Sequence, residues 1–317
     1  MTQPEGQQPE TQGSYQELRP LMFSIAYRMT GSVSDAEDIV QEAFLGLARG
    51  QSEGTVVESP KAYLATATTR HAINHLRSAR VRREAYVGTW LPEPLVADEG
   101  RPQPAAAPDP AERAELADSL SMAFLVMLET LSPVERAVFL LREVFGYDYA
   151  EVSRIVGKSE QNCRQIFARA RQRVGDRRPR FESSRERGEE LARRFFAAAA
   201  GGEMDSLLDL LSPDVVCVGD GGGKATARRE PLRGRLAVAR VMRGLFRRGR
   251  QLGTRIQPAL VNGQPGAVAY DAAGLVVSVY ALDIAGGAVQ AIRGITNPDK
   301  LTHLAPVSEL ALRGGKS

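Results

Sequence analysis

Apolar positions recur at helical spacing over the first half of the chain and give way to short β-like runs in the last third. Between residues 15 and 29, Leu18, Leu21, Met22, Ile25 and Met29 share one face. A second stripe, Ala36, Ile39, Val40, Ala43, Phe44 and Leu47, predicts a helix over 34–49, with Ser34 as cap and Glu37 as its capping-box partner. That leaves Asp35, Asp38, Gln41, Glu42 and Leu45 outside. Ser59 and Pro60 restart a helix as cap and first residue. It buries Leu64, Ala67, Ile73 and Leu76 and turns basic through Arg77, Arg80, Arg82 and Arg83. Residues 15–88 therefore read as a three-helix domain behind a disordered head, 1–14.

Six prolines between Pro92 and Pro110 predict an extended linker over 89–110. Residues 111–178 read as a helical array with start signals at Ser132-Pro133-Val134-Glu135 and Asp148-Tyr149-Ala150-Glu151. Within it, YAEVSRIVGKSEQNCRQIFARARQRV is a helix, a turn at Gly157 and a second helix, the helix-turn-helix order. In the second helix Cys163, Phe167, Ala170 and Val174 face a core. Beyond residue 183, helical signals at 189–200 and 203–211 precede DVVCVGD, TRIQPALV, GAVAYD, GLVVSVYALD and AVQAIRGITN, separated by Gly and Asn-Gly turns. A basic helix, RLAVARVMRGLFRRGR, lies between the first run and the rest. This predicts an α+β domain over 183–305, a curved sheet wrapped on a few helices, and a flexible tail over 306–317. The fold class is thus multidomain, all-α first and α+β last.

Composition narrows the function classes. A length of 317 residues exceeds one ordinary compact domain. No apolar run approaches the roughly 18 to 20 residues of a membrane span, and MTQPEGQQPETQG is not a signal peptide, so a cytoplasmic location without a membrane partner is expected. With two cysteines, Cys163 and Cys217, and with His71 and His75 lacking the glutamate of HExxH, neither a metal nor a cofactor is expected. The net charge of +3 is unevenly spread: eight Lys/Arg face two Asp/Glu from Lys158 to Arg180, while four acids face one arginine from Ser34 to Arg49. Different surfaces address different partners.

In a helix-turn-helix the second helix enters the major groove. Gln161, Asn162, Arg164 and Gln165 are the base-edge candidates, because Asn and Gln pair bidentately with adenine and Arg with guanine. Lys158, Arg169, Arg171 and Arg173 are placed on phosphates, and Ser159, which opens the helix, belongs to the same DNA-binding set.

The order DAEDIVQEAF, then SPKAYL with a basic helix, then LSPVERAVFLL and a helix-turn-helix ending in ARAR resembles a bacterial sigma factor of the extracytoplasmic-function (ECF) type over residues 15–175. The resemblance implies two all-α sigma domains. It places Asp35, Asp38, Gln41, Glu42 and Leu45 on the clamp helices of RNA polymerase's largest subunit, acids meeting arginines. It assigns Lys61, Tyr63, Asn74, Arg77 and Arg80 to the minus-ten element of promoter DNA, with the loop 50–58 capturing a flipped base, and the helix-turn-helix to the minus-thirty-five element. Many relatives carry Trp where Tyr63 stands, so a wedge role for Tyr63 does not transfer directly; Asn162-Cys163-Arg164-Gln165 departs from the commoner Thr-Val-Lys-Ser, so base preference does not transfer either.

Three short pieces sharpen the match: Trp90-Leu91-Pro92-Glu93-Pro94, Asp220-Gly221-Gly222-Gly223-Lys224 and Asn297-Pro298-Asp299-Lys300-Leu301. They resemble the hallmarks of the SigJ-like subgroup, whose C-terminal extension is a SnoaL-like, NTF2-like cone. That resemblance implies regulation in cis by the extension. On their own, Trp90 either docks into a pocket or covers a local core, and the glycines are either a tight turn or a backbone nest. Asp220, Asp271, Asp283, Tyr270 and Tyr280 form no catalytic constellation that sequence can place, so no enzyme activity is expected, while a small-molecule ligand in the cone stays a candidate partner. The alternatives are a free-standing helix-turn-helix regulator with a ligand-sensing domain and a SnoaL-like enzyme with a DNA-binding appendage.

Overall fold

The computed structural model describes residues 8–97, 119–175 and 184–312. They divide into two compact units. The first gathers the helices up to Val81 and those from Leu128 to Asp176; the second gathers Arg82–Arg101, Asp109–Met127 and everything from Arg177 on.

In the first unit, α1 (Gln8–Thr30), α2 (Val33–Ser52) and α3 (Pro60–Glu84) enclose Met22, Ile25, Tyr27, Val40, Leu47 and Leu64. The described part of α1 reaches back to Gln8, inside the segment read as a disordered head. The cap of α2 is Ser32 rather than Ser34: Ser32 Oγ accepts from Asp35 N at 3.1 Å. The reason is Gly31, whose φ of 69° reverses the chain directly after α1 and starts the next helix two residues early.

Helix α4 (Met122–Leu128) belongs to the second unit up to Met127; the later helices of the first are α5 (Pro133–Phe139), which runs on as a π-helical turn through Leu140–Val144, α6 (Tyr149–Val156) and α7 (Glu160–Gly175). Both capping boxes read from sequence form, Ser132 with Glu135 and Asp148 with Glu151. Gly157 ends α6 in the left-handed region, and Ser159 Oγ accepts from Asn162 N to start α7. Two arginines join the helices across this unit. Arg136, 3% exposed, donates to Met29 O at 2.6 Å and Leu128 O at 2.8 Å, and pairs with Glu129 at 2.9 Å. Arg70 on α3 returns the favour on the carbonyl end of α6, donating to Ile155 O at 2.9 Å and Arg154 O at 3.0 Å. Each guanidinium meets the last carbonyls of a helix, where positive charge is favoured.

The second unit runs β1 (Val96–Ala97), α8 (Arg185–Gly201), α9 (Met204–Leu210), β2 (Leu211–Asp220), β3 (Leu232–Arg233), α10 (Arg235–Gln251), β4 (Arg255–Val261), β5 (Gln264–Tyr270), β6 (Val276–Ala285), β7 (Ala288–Ile295) and α11 (Glu309–Leu312). The sheet order is β1-β4-β5-β6-β7-β2-β3, antiparallel except for the β2–β7 pair. The Asn262-Gly263 turn between β4 and β5 has both residues at positive φ, 52° and 73°. One sheet face packs on α8, α9 and α10 through Phe195, Phe196, Met242, Phe246 and Tyr280. The other packs on Leu91, Met122 and Leu301.

Two boundary readings change here. The start of the proline-rich linker is docked, because Val96 and Ala97 pair with Val261 and Leu260 on the edge of the sheet. The tail is pinned as far as its described residues go: Val276 N bonds Pro306 O, Ser308 N bonds Val276 O, and Ser308 Oγ donates to Asp271.

Candidate nucleic-acid interface and linker clamp

Helix α7 turns its apolar stripe inward, with Cys163, Ile166, Phe167, Ala170 and Val174 buried. Gln161, Arg164, Gln165, Arg169 and Arg171 are exposed, as is Ser159, while Asn162 and Lys158 are half-buried. Arg164 is held rather than loose: its guanidinium lies 4.7 Å from the Tyr149 ring centre and pairs with Glu160 at 3.3 Å. Arg142 covers the same ring at 5.1 Å. Sequence reading missed this stack because Tyr149 sits on the preceding helix. Arg173 differs from its expected role, since it pairs with Glu135 at 3.1 Å. A phosphate would have to compete with that carboxylate.

On α2, Asp38, Gln41, Glu42 and Leu45 are exposed, Leu45 at 42%. Asp35 is less free: it lies 3.1 Å from His75 Nε2. The carboxylate of Glu37 is taken by Arg19. On α3, Lys61, Asn74 and Arg77 are exposed and Tyr63 is 37% exposed. The side chain of Arg80 lies outside the described residues. Arg70, which sequence reading did not single out, is an α3 cation that reaches the helix-turn-helix.

The three short pieces converge within the second unit. Asp220, fully buried at the end of β2, is the hub. Its Oδ2 accepts from Lys300 Nζ at 2.7 Å and Leu91 N at 2.8 Å, and its Oδ1 accepts from Tyr86 OH and, at 3.1 Å, from Gly222 N. Lys300 also donates to Leu91 O and lies 4.4 Å from the Trp90 ring centre and 4.9 Å from that of Tyr86. Asn297 donates to Tyr86 OH at 2.8 Å, and Lys224 pairs with Asp299 at 2.6 Å. Burial pushes the Tyr86 phenol well above its usual value, and its hydrogen bond to Asp220 pushes the same way. The buried carboxylate and ammonium therefore satisfy one another and the backbone of the linker, the arrangement a buried charge needs.

Trp90 thus stacks on a cation, and Leu91 carries the apolar anchoring. The glycine run is a tight turn: at Gly222, φ 58°, a Cβ would stand 2.3 Å from Asn297 Nδ2, and at Gly221 it would stand 2.2 Å from Ala225 O. Tyr86 was not legible as a member of the group. Downstream, Asn262 Oδ1 accepts from Leu95 N at 2.9 Å and His303 bonds Pro94 O at 2.8 Å, extending the seam along the linker.

Three of the groups weighed for catalysis are engaged in local contacts. Asp283 is paired with Arg293, Asp271 caps its own turn through Ala273 N and Leu275 N, and Tyr280 is packed among Phe196 and Phe246. The three rings form one cluster, with Phe196 to Phe246 at 5.9 Å and Phe246 to Tyr280 at 5.4 Å between centres. A recess of about 350 Å³ is lined by Arg187, Leu191, Ile284, Gly286 and Gly287. Among the described residues no group of His, Cys, Asp and Glu could hold a metal ion, and no helix is long and apolar enough to cross a membrane.

Two helical sets, one with a cationic helix-turn-helix, and a mixed-sheet cone define a class, and comparison with known proteins gives the same three parts. Residues 14–82 match Sigma-70 region 2, residues 121–174 match Sigma-70 region 4, and residues 192–296 match the SnoaL-like domain. The chain belongs to the ECF RNA polymerase sigma factors. It is 40% identical to the ECF RNA polymerase sigma factor SigJ of Mycobacterium tuberculosis over 310 residues, 93% of this chain and 94% of that protein. The probable ECF RNA polymerase sigma factor SigI of the same organism is 31% identical over 286 residues, 90% and 93% of the two chains. The crystal structure of SigJ matches with a TM-score of 0.72 at 36% identity, covering 93% of this chain and 99% of that one.

Proposed function

We propose that this sigma factor directs core RNA polymerase to promoters through the minus-thirty-five element on α7 and the minus-ten element on α3, with the outer face of α2 docking on the clamp helices. The observation that carries the DNA assignment is the two-faced α7: an apolar stripe sunk in its own bundle and Gln161, Arg164, Gln165, Arg169 and Arg171 presented outward. Base reading is assigned to Gln161, Asn162, Arg164 and Gln165, and backbone positioning to Lys158, Ser159, Arg169 and Arg171. The chain performs no chemistry in this reading; phosphoryl transfer belongs to the polymerase.

The C-terminal domain regulates in cis by holding the linker. Its means is the Asp220–Lys300 pair, which grips the backbone of Leu91 from both sides, N–H and C=O.

The experiment is transcription in vitro from a promoter selected with this chain, using core polymerase plus the full-length protein, a form ending at residue 180, and the full-length Asp38→Lys, Glu42→Lys variant. The expected results are core-dependent transcripts with full-length protein, altered promoter output on truncation, and weakened core binding by the charge-reversed α2. Duplex binding with no transcript under any condition would favour a free-standing regulator instead.

A further inference from the structure

We propose that the outward stripe of α10, in the C-terminal domain, is an additional nucleic-acid contact that grips the phosphate backbone of duplex DNA. Over Arg235–Gln251 this helix carries six arginines and no Asp, Glu or Lys. Val238, Ala239, Met242 and Phe246 form its buried side. Arg240, Arg243, Arg247 and Arg250 recur at i, i+3, i+7 and i+10, which is one stripe, and all four are exposed.

A merely solvated helix face looks different in this same chain. On α8, Arg185 pairs with Glu189 and Arg193 with Glu190. On α10 no ion pair forms among the described residues, although Asp205 and Asp209 are exposed on the neighbouring α9. Arginines three and four residues apart repel one another along the stripe. A polyanion laid against them removes that repulsion.

The choice of side chain narrows the partner. Guanidinium forks match phosphate oxygens two at a time, whereas lysine would serve solubility equally well. The stripe runs about 15 Å, from ten residues at about 1.5 Å rise, long enough to follow several successive phosphates of one strand. An acidic protein surface is the rival occupant, and the test separates the two.

The test uses the full-length chain and a fluorescein-labelled random duplex of about 40 base pairs, with anisotropy read from about 50 to 200 mM salt. The variant is R240A/R243A/R247A, three exposed side chains without a hydrogen bond among the described contacts. The expected result is at least about a tenfold loss of affinity near 100 mM salt and a slope of log K on log salt shallower by about 2 to 3, at about 0.9 per phosphate. R240K/R243K/R247K should recover the slope but not all of the affinity, which rules out misfolding as the cause. R169A/R171A on α7 is the independent arm: if it weakens binding while the α10 variant does not, the α10 contact is wrong and the α7 assignment stands. No duplex binding by the full-length chain, an unchanged slope, or a loss confined to core polymerase binding each overturns the proposal.

Discussion

Asp220 and Lys300 carry the energetics of the clamp at the level of single residues. A buried ion pair is weak evidence of net stability, but removing one partner strands the other. Lys300→Met should cost about 3–5 kcal/mol in denaturant unfolding of the second unit, and adding Asp220→Asn should recover much of that loss. Equal losses in the single and double variants would mean that the pair is not coupled. Tyr86 gives a pH signature. Its folded value is raised, so the stability it contributes is fully present below the ordinary tyrosine value of about 10 and is lost as pH rises beyond it. Tyr86→Phe should flatten the fall in stability between about pH 10 and 11 while leaving the profile at pH 7 to 9 unchanged in shape. Lys300 and Asp220 were visible in the sequence as members of short marked pieces. Tyr86 was not, because a tyrosine following a run of arginines carries no periodic signal, and only the fold reveals that it completes the set of donors to Asp220.

Elements whose ends are fixed by neighbouring residues were legible, and α5, α6 and α7 are the cases. The boxes at Ser132 and Asp148 and the left-handed Gly157 all act within a few residues. The cap of α2 was misplaced by two residues because Ser34 is also a good cap, and the choice fell to Gly31 and the packing of α1 against α2. The recognition helix makes an element-scale prediction. Arg169→Ala should weaken binding to all duplexes alike and reduce the salt slope by about one, whereas Arg164→Ala should cost about 1–3 kcal/mol only on the preferred sequence. Tyr149→Leu should move specificity in the same direction as Arg164→Ala without changing the salt slope, since the ring holds that guanidinium at 4.7 Å and carries no charge. A competitive binding series with single base changes distinguishes these outcomes. Loss of all binding in Tyr149→Leu would show instead that the ring supports the helix itself.

At the scale of the whole molecule, the second unit takes in a piece of chain that the sequence assigned to a linker. Leu91 and Met122 cover the sheet face opposite the cone, and Val96 and Ala97 extend the sheet at its edge. Ending the chain at residue 180 removes every partner of this segment in the C-terminal domain. The single tryptophan, Trp90, then loses the Lys300 ammonium and its half-buried setting, so its emission should shift to the red, and the segment 86–97 should become open to limited proteolysis. An unshifted spectrum would mean that Trp90 is held by something other than this clamp. The sequence by itself determined most of the helical and β-like stretches, where α5 to α7 begin, and that one helix presents arginines outward over an apolar stripe, because periodicity and caps are local. Only the tertiary structure decided that residues more than 120 apart meet on Asp220, that arginines 70 and 136 each close the carbonyl end of a distant helix, and that Phe196, Phe246 and Tyr280 meet in one cluster. A buried charge can be placed only by partners brought from elsewhere in the chain, and the spacing of apolar residues carries no record of which partners those are.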